Sequence, residues 1–297
     1  MEMSSDAIPS TGNGEAAEFS LMRSALLAHL NHIVRDRDPY LASQGHFYVR
    51  EYVREQLAQW GTVETHGFAV RGNWHQNLIL NLPGQANRPP ILIGAHYDAV
   101  PGTPGADDNA SGVAVLLELA RIFAAKPARY SLRLVAFDME EYGLFGSAAY
   151  AHELKQQNQS LRLMISLEML GYCDRSPQSQ HYPAFLQYLY PDRGDFIALV
   201  GNVQTTLDLL RLQRQIRSVG KVGCEWLPAG KRGMIVPVTR SSDHASFWDK
   251  GYPAMMITDT AFLRNPHYHK SSDRLETLDL DFMTGVCTGL AAGIRSL

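Results

Sequence analysis

Residues 91–112 read ILIGAHYDAVPGTPGADDNASG, and they bring an imidazole and carboxylates toward one point. The apolar run Ile91–Ala95 has the length of a strand and delivers His96 and Asp98 to its end. A Pro/Gly-rich turn then leads to Asp107, Asp108 and Asn109 at the mouth of an apolar helix. Imidazole and carboxylate oxygen are the ligand types zinc takes in hydrolytic sites, and Asp98, two residues past His96, is placed to hold the ring from behind. A core histidine beside a helix-capping aspartate would give the same local pattern, so the rest of the chain decides between them.

Other apolar runs also end in acid. Leu132–Phe137 is followed by Asp138, Met139, Glu140 and Glu141, Leu161–Leu167 by Glu168, and Ala254–Thr258 by Asp259 and, past a short loop, by His267, Tyr268 and His269. A solvated carboxylate explains any one of these. At a shared edge, however, they would repel one another unless a cation were present, which makes a metal centre the economical account. His96, Asp108, Glu141, Glu168 and His269 are more ligands than one hydrolytic zinc uses, since such an ion keeps three protein ligands and an open position. Shared over two zinc ions roughly 3.5–4 Å apart, with one carboxylate bridging, they suffice to acidify a water and polarise a carbonyl. Of the adjacent Glu140 and Glu141, one is then free to act as general base.

The elements that must position these groups read as one α/β domain over residues 19–297. Strand-length runs at Ile91–Ala95, Leu132–Phe137, Leu161–Leu167 and Ala254–Thr258 alternate with helical patterns at Ser111–Ala124, Ser147–Leu154, Gln204–Val219 and Leu278–Arg295. That alternation predicts a mixed, mostly parallel central sheet with helices on both faces, and ligands in such sheets bind beyond the carboxyl ends of the strands. Helices at Ser20–Val34 and Gln44–Trp60 form a covering layer, followed by β segments at Val63–Val70 and Gln76–Leu82. Residues 1–18 are polar, acidic and small, and are expected to be a poorly ordered tail.

Composition narrows the function classes. A net charge of −3, with 27 basic and 30 acidic residues interspersed, leaves no basic stripe for nucleic acid. No run approaches a membrane span, and the N-terminus lacks the basic start and apolar core of a signal peptide, so a cytoplasmic address is the expectation. Cys173, Cys224 and Cys287 are widely spaced and form no CxxC, which indicates neither a disulfide framework nor a thiolate zinc site. Nothing in the pattern specifies an oligomer.

Taken together, the motifs GAHYD (Gly94–Asp98), PGADDNASG (Pro104–Gly112), the EE pair with GLFGS (Glu140–Ser147), EMLGY (Glu168–Tyr172), SDHASFW (Ser242–Trp248) and Tyr268-His269 followed by Asp273 resemble the M28 family of zinc aminopeptidases. The resemblance implies Asp108 as the bridging carboxylate, His96 and Glu168 as ligands of one zinc, and Glu141 and His269 as ligands of the other. It further implies Glu140 as the general base, Asp98 as the residue orienting His96, Tyr268 as a hydrogen-bond donor to the developing oxyanion, and a cis peptide after Asp108. The tyrosine-histidine order favours His269 over His267 as the ligand. Position 168 departs from the pattern, being Glu where many members carry Asp, and the extra methylene adds about 1.5 Å of reach. Asp243 and His244 read either as groups lining or supporting the site, or as an N-cap and a core histidine.

Residues 173–240 are not needed by the metal chemistry. With Tyr182, Tyr188, Tyr190, Phe196, Trp226 and Met234 they read as a cap whose apolar side chains form a pocket for the substrate's first side chain, or else as an ordinary insertion. The expected activity is removal of N-terminal residues from peptides with a free N-terminus. The rival readings are a single-zinc acyltransferase resembling glutaminyl cyclases and a non-catalytic binding relative.

Overall fold

The apolar runs that end in acid form the middle of an eight-stranded sheet. The computed structural model describes residues 11–183 and 185–297. Its strands are β1 (Val63–Val70), β2 (Asn73–Leu82), β3 (Ile91–His96), β4 (Leu132–Phe137), β5 (Leu163–Glu168), β6 (Phe196–Gly201), β7 (Gly223–Pro228) and β8 (Ala254–Thr258), in spatial order β1-β2-β4-β3-β5-β8-β6-β7. The central β4, β3, β5 and β8 are parallel, whereas β2 joins β4, and β6 joins β8, antiparallel. Parallel strands need cover on both faces, and β3, β5 and β8 are buried along their whole length.

Helices α1 (Thr11–Ile33), α2 (Ser43–Ala58), α3 (Gly112–Ala125), α5 (Thr206–Ser218) and α7 (Leu280–Ser296) share one core with one face of the sheet. Helices α4 (Phe145–Gln156) and α6 (His244–Asp249) pack on the other, where Tyr150, Phe247 and Trp248 join Phe137. In register, His96 lies opposite Phe137 and Glu168 opposite Thr258, so the carboxyl ends of the central strands line one edge. Gly94 permits this packing: a Cβ there would come within 2.3 Å of the Phe137 ring.

Two expectations change. Helix α1 begins at Thr11, so residues 11–18 of the expected tail belong to it, while residues 1–10 of that tail lie outside the described residues. The stretch 173–240 is not a cap as a whole, because β6, α5 and β7 within it extend the main sheet and its covering layer. Its remaining loops border the site. No helix among the described residues is long and apolar enough to cross a membrane, and all three cysteines are free.

Candidate metal centre

His96 ends β3 fully buried, with Nδ1 3.4 Å from Asp98 Oδ1. Its Nε2 lies 3.3 Å from Asp108 Oδ1, 3.6 Å from Glu168 Oε1 and 3.9 Å from Glu140 Oε2. Across the site, His269 Nε2 lies 3.1 Å from Asp108 Oδ2 and 3.3 Å from Glu141 Oε2. Asp108 therefore presents one oxygen to each imidazole. The chain thus gathers all five expected ligands and Glu140 around one carboxylate.

Whether these residues suit a metal can be judged from their unpartnered atoms. Buried polar atoms almost always have hydrogen-bond partners. Among the described residues, Nδ1 and Nε2 of His96 and Oε1 of Glu141 are buried without one, although carboxylates surround them. Two overlapping groups, His96 with Glu140 and Glu168, and His96 with Asp108 and Glu141, hold ligating atoms within 4.8 Å of one another. Imidazole nitrogen and carboxylate oxygen suit zinc or a similar divalent ion.

The electrostatics point the same way. Burial pushes the Glu140 carboxyl well above its usual range, His96 opposes this, and Glu168, Glu141 and Asp243 add to it. Burial and then Asp108 raise Glu141 to about 7 against His269. Burial likewise raises Glu168, with His96 opposing. For Asp108 burial alone would raise the carboxyl, but His269 and His96 on either side hold it well below the carboxylate range. Burial would lower His269, yet Asp108 and Glu141 raise it to about 10. A cluster of buried acids that resist joint ionisation is what a bound cation would relieve.

Backbone contacts hold the groups in place. Asp98 accepts hydrogen bonds from the N–H groups of Glu140 (3.2 Å) and Glu141 (3.1 Å), so one carboxylate both faces His96 and tethers the glutamate pair. Met139, at φ 62°, makes the turn that brings this pair in from β4. Behind it Asp138 is buried between His46 Nε2 (2.7 Å) and His75 Nδ1 (3.5 Å). The Asp108–Asn109 peptide is cis, and the Asn109 amide donates to Leu167 O while its oxygen accepts from Gly112 and Met169. Asp273 accepts from the N–H groups of Asp107 and Asp108.

The remaining sequence candidates divide. Tyr268 stacks on His269 with ring centroids 3.7 Å apart and lines an apolar pocket together with Glu168, Tyr190, Trp226 and Met256. Asp243 stands at the N-cap position of α6 but makes no capping bond. Among the described residues both its oxygens are buried and unpartnered, and burial raises its carboxyl to about 7 against His96. His244 turns elsewhere: Nε2 binds Thr239 O at 2.7 Å, the ring packs edge-on to Trp248, and burial lowers it to about 3, so it is a neutral core histidine. His267 pairs with Ser272, and His269 takes the position against Asp108.

Sequence reasoning missed Arg37, Asn265 and the task of Ser242. Asn265 donates to Asp107 Oδ2, and Ser242 donates to Glu168 Oε2. Arg37 sits in the charged stretch RDRDP, which reads as solvated surface, and no local signal marks it.

Known proteins resemble this chain in sequence and in fold. The "Uncharacterized protein YfbL" of Escherichia coli (strain K12) is 39% identical over 257 residues, covering 81% of this chain and 77% of that protein. Leucine aminopeptidase 1 of Grosmannia clavigera is 27% identical over 239 residues; the match covers 73% of this chain but only about half, 53%, of that relative's length. The fold is that of the Legionella pneumophila LapA aminopeptidase (TM-score 0.71, 20% identity, covering 99% of this chain and 77% of that one). It is also that of the Tannerella forsythia glutaminyl cyclase (TM-score 0.67, 20% identity, covering 93% and 98%). The pattern of peptidase family M28 matches residues 77–292, spanning the strands, turns and loops that carry His96, Asp108, Glu140, Glu141, Glu168 and His269, and the chain therefore belongs to peptidase family M28.

Proposed function

We propose that the chain is a two-zinc aminopeptidase that removes the N-terminal residue from peptides with a free N-terminus. The observation that carries this reading is Asp108, whose two oxygens face two separate imidazoles, with the buried Glu140 carboxylate beside them. His96 and Glu168 would hold one ion, Glu141 and His269 the other, and Asp108 would bridge. When bound, such a metal pair supplies Lewis acidity toward the scissile carbonyl and acidifies the attacking water.

The chain's own groups do the rest. Among the described residues no hydrogen bond engages the Glu140 carboxylate, which leaves it free to take the proton from the attacking water. As that water's oxygen bonds to the carbonyl carbon, Tyr268 donates to the developing oxyanion. Glu140 then passes its proton to the leaving nitrogen as the carbon–nitrogen bond breaks. The first side chain enters the apolar pocket lined by Tyr190, Phe196, Trp226, Met256 and Phe262. The substrate ammonium lies toward Glu140 and Glu168.

Elemental analysis after dialysis against trace zinc, paired with turnover of aminoacyl anilides that are free or blocked at the amine, tests the reading. Two ions per chain and cleavage of the free-amine substrates alone support it. One ion with cyclisation of an N-terminal glutamine would replace it with a cyclase, and no metal with no turnover would replace it with a binding protein.

A further inference from the structure

The segment between α1 and α2 carries one buried cation. Arg37 is fully buried, and all five N–H groups of its guanidinium point at backbone carbonyls. Nε donates to Tyr97 O (2.9 Å), Nη1 to Arg35 O (3.3 Å) and Pro104 O (2.6 Å), and Nη2 to Gly105 O (2.9 Å) and Asp108 O (3.1 Å). Among the described residues no carboxylate forms an ion pair with it. A desolvated guanidinium without a paired acid is costly, and its donors here are matched instead to a fixed set of carbonyls.

Those carbonyls define what it does. Four of the five belong to residues 97–108, the loop that starts beside His96 and ends at Asp108. From the opposite side Asp273 accepts from the N–H groups of Asp107 and Asp108. The peptide groups on both sides of the Asp108 side chain are therefore held, the N–H by an anion and the C=O by a cation. Gly105 makes the approach possible: it sits at φ 58°, and a Cβ there would lie 2.8–2.9 Å from the two terminal guanidinium nitrogens.

We propose that Arg37 is a positioning residue that fixes the distance and attitude of Asp108 relative to His96, and thereby sets the affinity of the site for its metal ions. Arg37 lies outside residues 77–292, so this control comes from a part of the chain beyond the family match. The proposal rests on the metal-centre reading above. Charge and positioning make opposite predictions for it. A cation near bound metal ions repels them, so removing charge alone would tighten zinc, whereas losing the clamp loosens it.

The test is zinc affinity, measured by competition with a chelator, for wild type, Arg37→Met and Arg37→Lys. Each variant is first shown to be folded by far-UV circular dichroism and by its zinc-free melting curve. Both variants are expected to bind zinc about 10–100-fold more weakly, because neither side chain spans the carbonyl set and supports of metal ligands carry effects of that size. The lysine variant should not restore affinity, since it returns the charge without the planar fork. Unchanged or tighter binding in folded Arg37→Met overturns the proposal, as does wild-type affinity in Arg37→Lys, which decides alone if the methionine variant does not fold. Failure of both to fold would assign Arg37 to stability only and overturn it too. A wild-type protein that binds no zinc would instead sink the metal-centre reading itself.

Discussion

Ser242 Oγ donates to Glu168 Oε2 at 2.7 Å, and the other carboxylate oxygen, Oε1, is left 3.6 Å from His96 Nε2. The extra methylene of Glu168, compared with the aspartate common in the family, is thus taken up by tying one oxygen back. One oxygen remains for the centre. Ser242 is itself held at 2.9 Å by Ser166, which lies two residues before Glu168 on the same strand β5.

Replacing Ser242 with Ala frees Glu168 to rotate or to bind through both oxygens. Turnover at saturating zinc is expected to fall about tenfold, the low end for a group that supports a metal ligand. Steady-state kinetics with zinc titrated to saturation checks this, and an unchanged kcat would show that Glu168 is placed by its strand alone.

How far the sequence reveals such a site depends on whether its parts are local. His96, Glu140, Glu141 and Glu168 were legible because each follows a buried strand, and parallel strands leave their carboxyl ends at one edge. β7 was not, because its residues are half-exposed and include Glu225 and a terminal Pro228, so its apolar pattern is weak. Phe196 read as one of the cap aromatics, although it opens the apolar run FIALVG that forms the mostly buried β6. Arg37 and Ser242 act through partners far along the chain, 71 residues for Arg37 and Asp108 and 74 for Ser242 and Glu168, and no spacing rule reaches that far.

Glu140→Gln removes the proton acceptor while keeping the side chain's shape. The rate is expected to fall by about 10²–10⁴-fold, the usual range for general-base catalysis. Zinc content should stay at the wild-type value. Wild-type turnover by this variant would remove Glu140 from the base role, and loss of zinc together with rate would make it a ligand.

Metal-free protein should lose stability as pH rises between 7 and 9. His269 is raised to about 10 by Asp108 and Glu141, so in this window the folded chain holds a proton that the unfolded chain has released. A state that binds more protons is weakened as protons become scarce, which gives the negative slope. Zinc binding displaces that proton, so its apparent affinity should rise over the same range. Melting curves of the chelated protein at pH 7, 8 and 9 provide the check; a rising midpoint would mean that His269 is not held protonated by these acids.

Ala198 offers a way to shrink the pocket without touching the centre. It lies on β6 opposite Thr258 and lines the pocket with Val200, Leu227 and Met256. Phe in its place would occupy the space assigned to a large first side chain, while Glu140, Glu168 and the imidazoles lie on other strands and loops. A pocket that rejects bulk changes discrimination by about 1–3 kcal/mol. The ratio of kcat/KM for leucine-first over alanine-first substrates should accordingly drop by about 10–200-fold. Overpacking would act differently, lowering the melting midpoint and slowing both substrates together. An unchanged ratio in a folded Ala198→Phe protein would therefore move the first side chain out of this pocket.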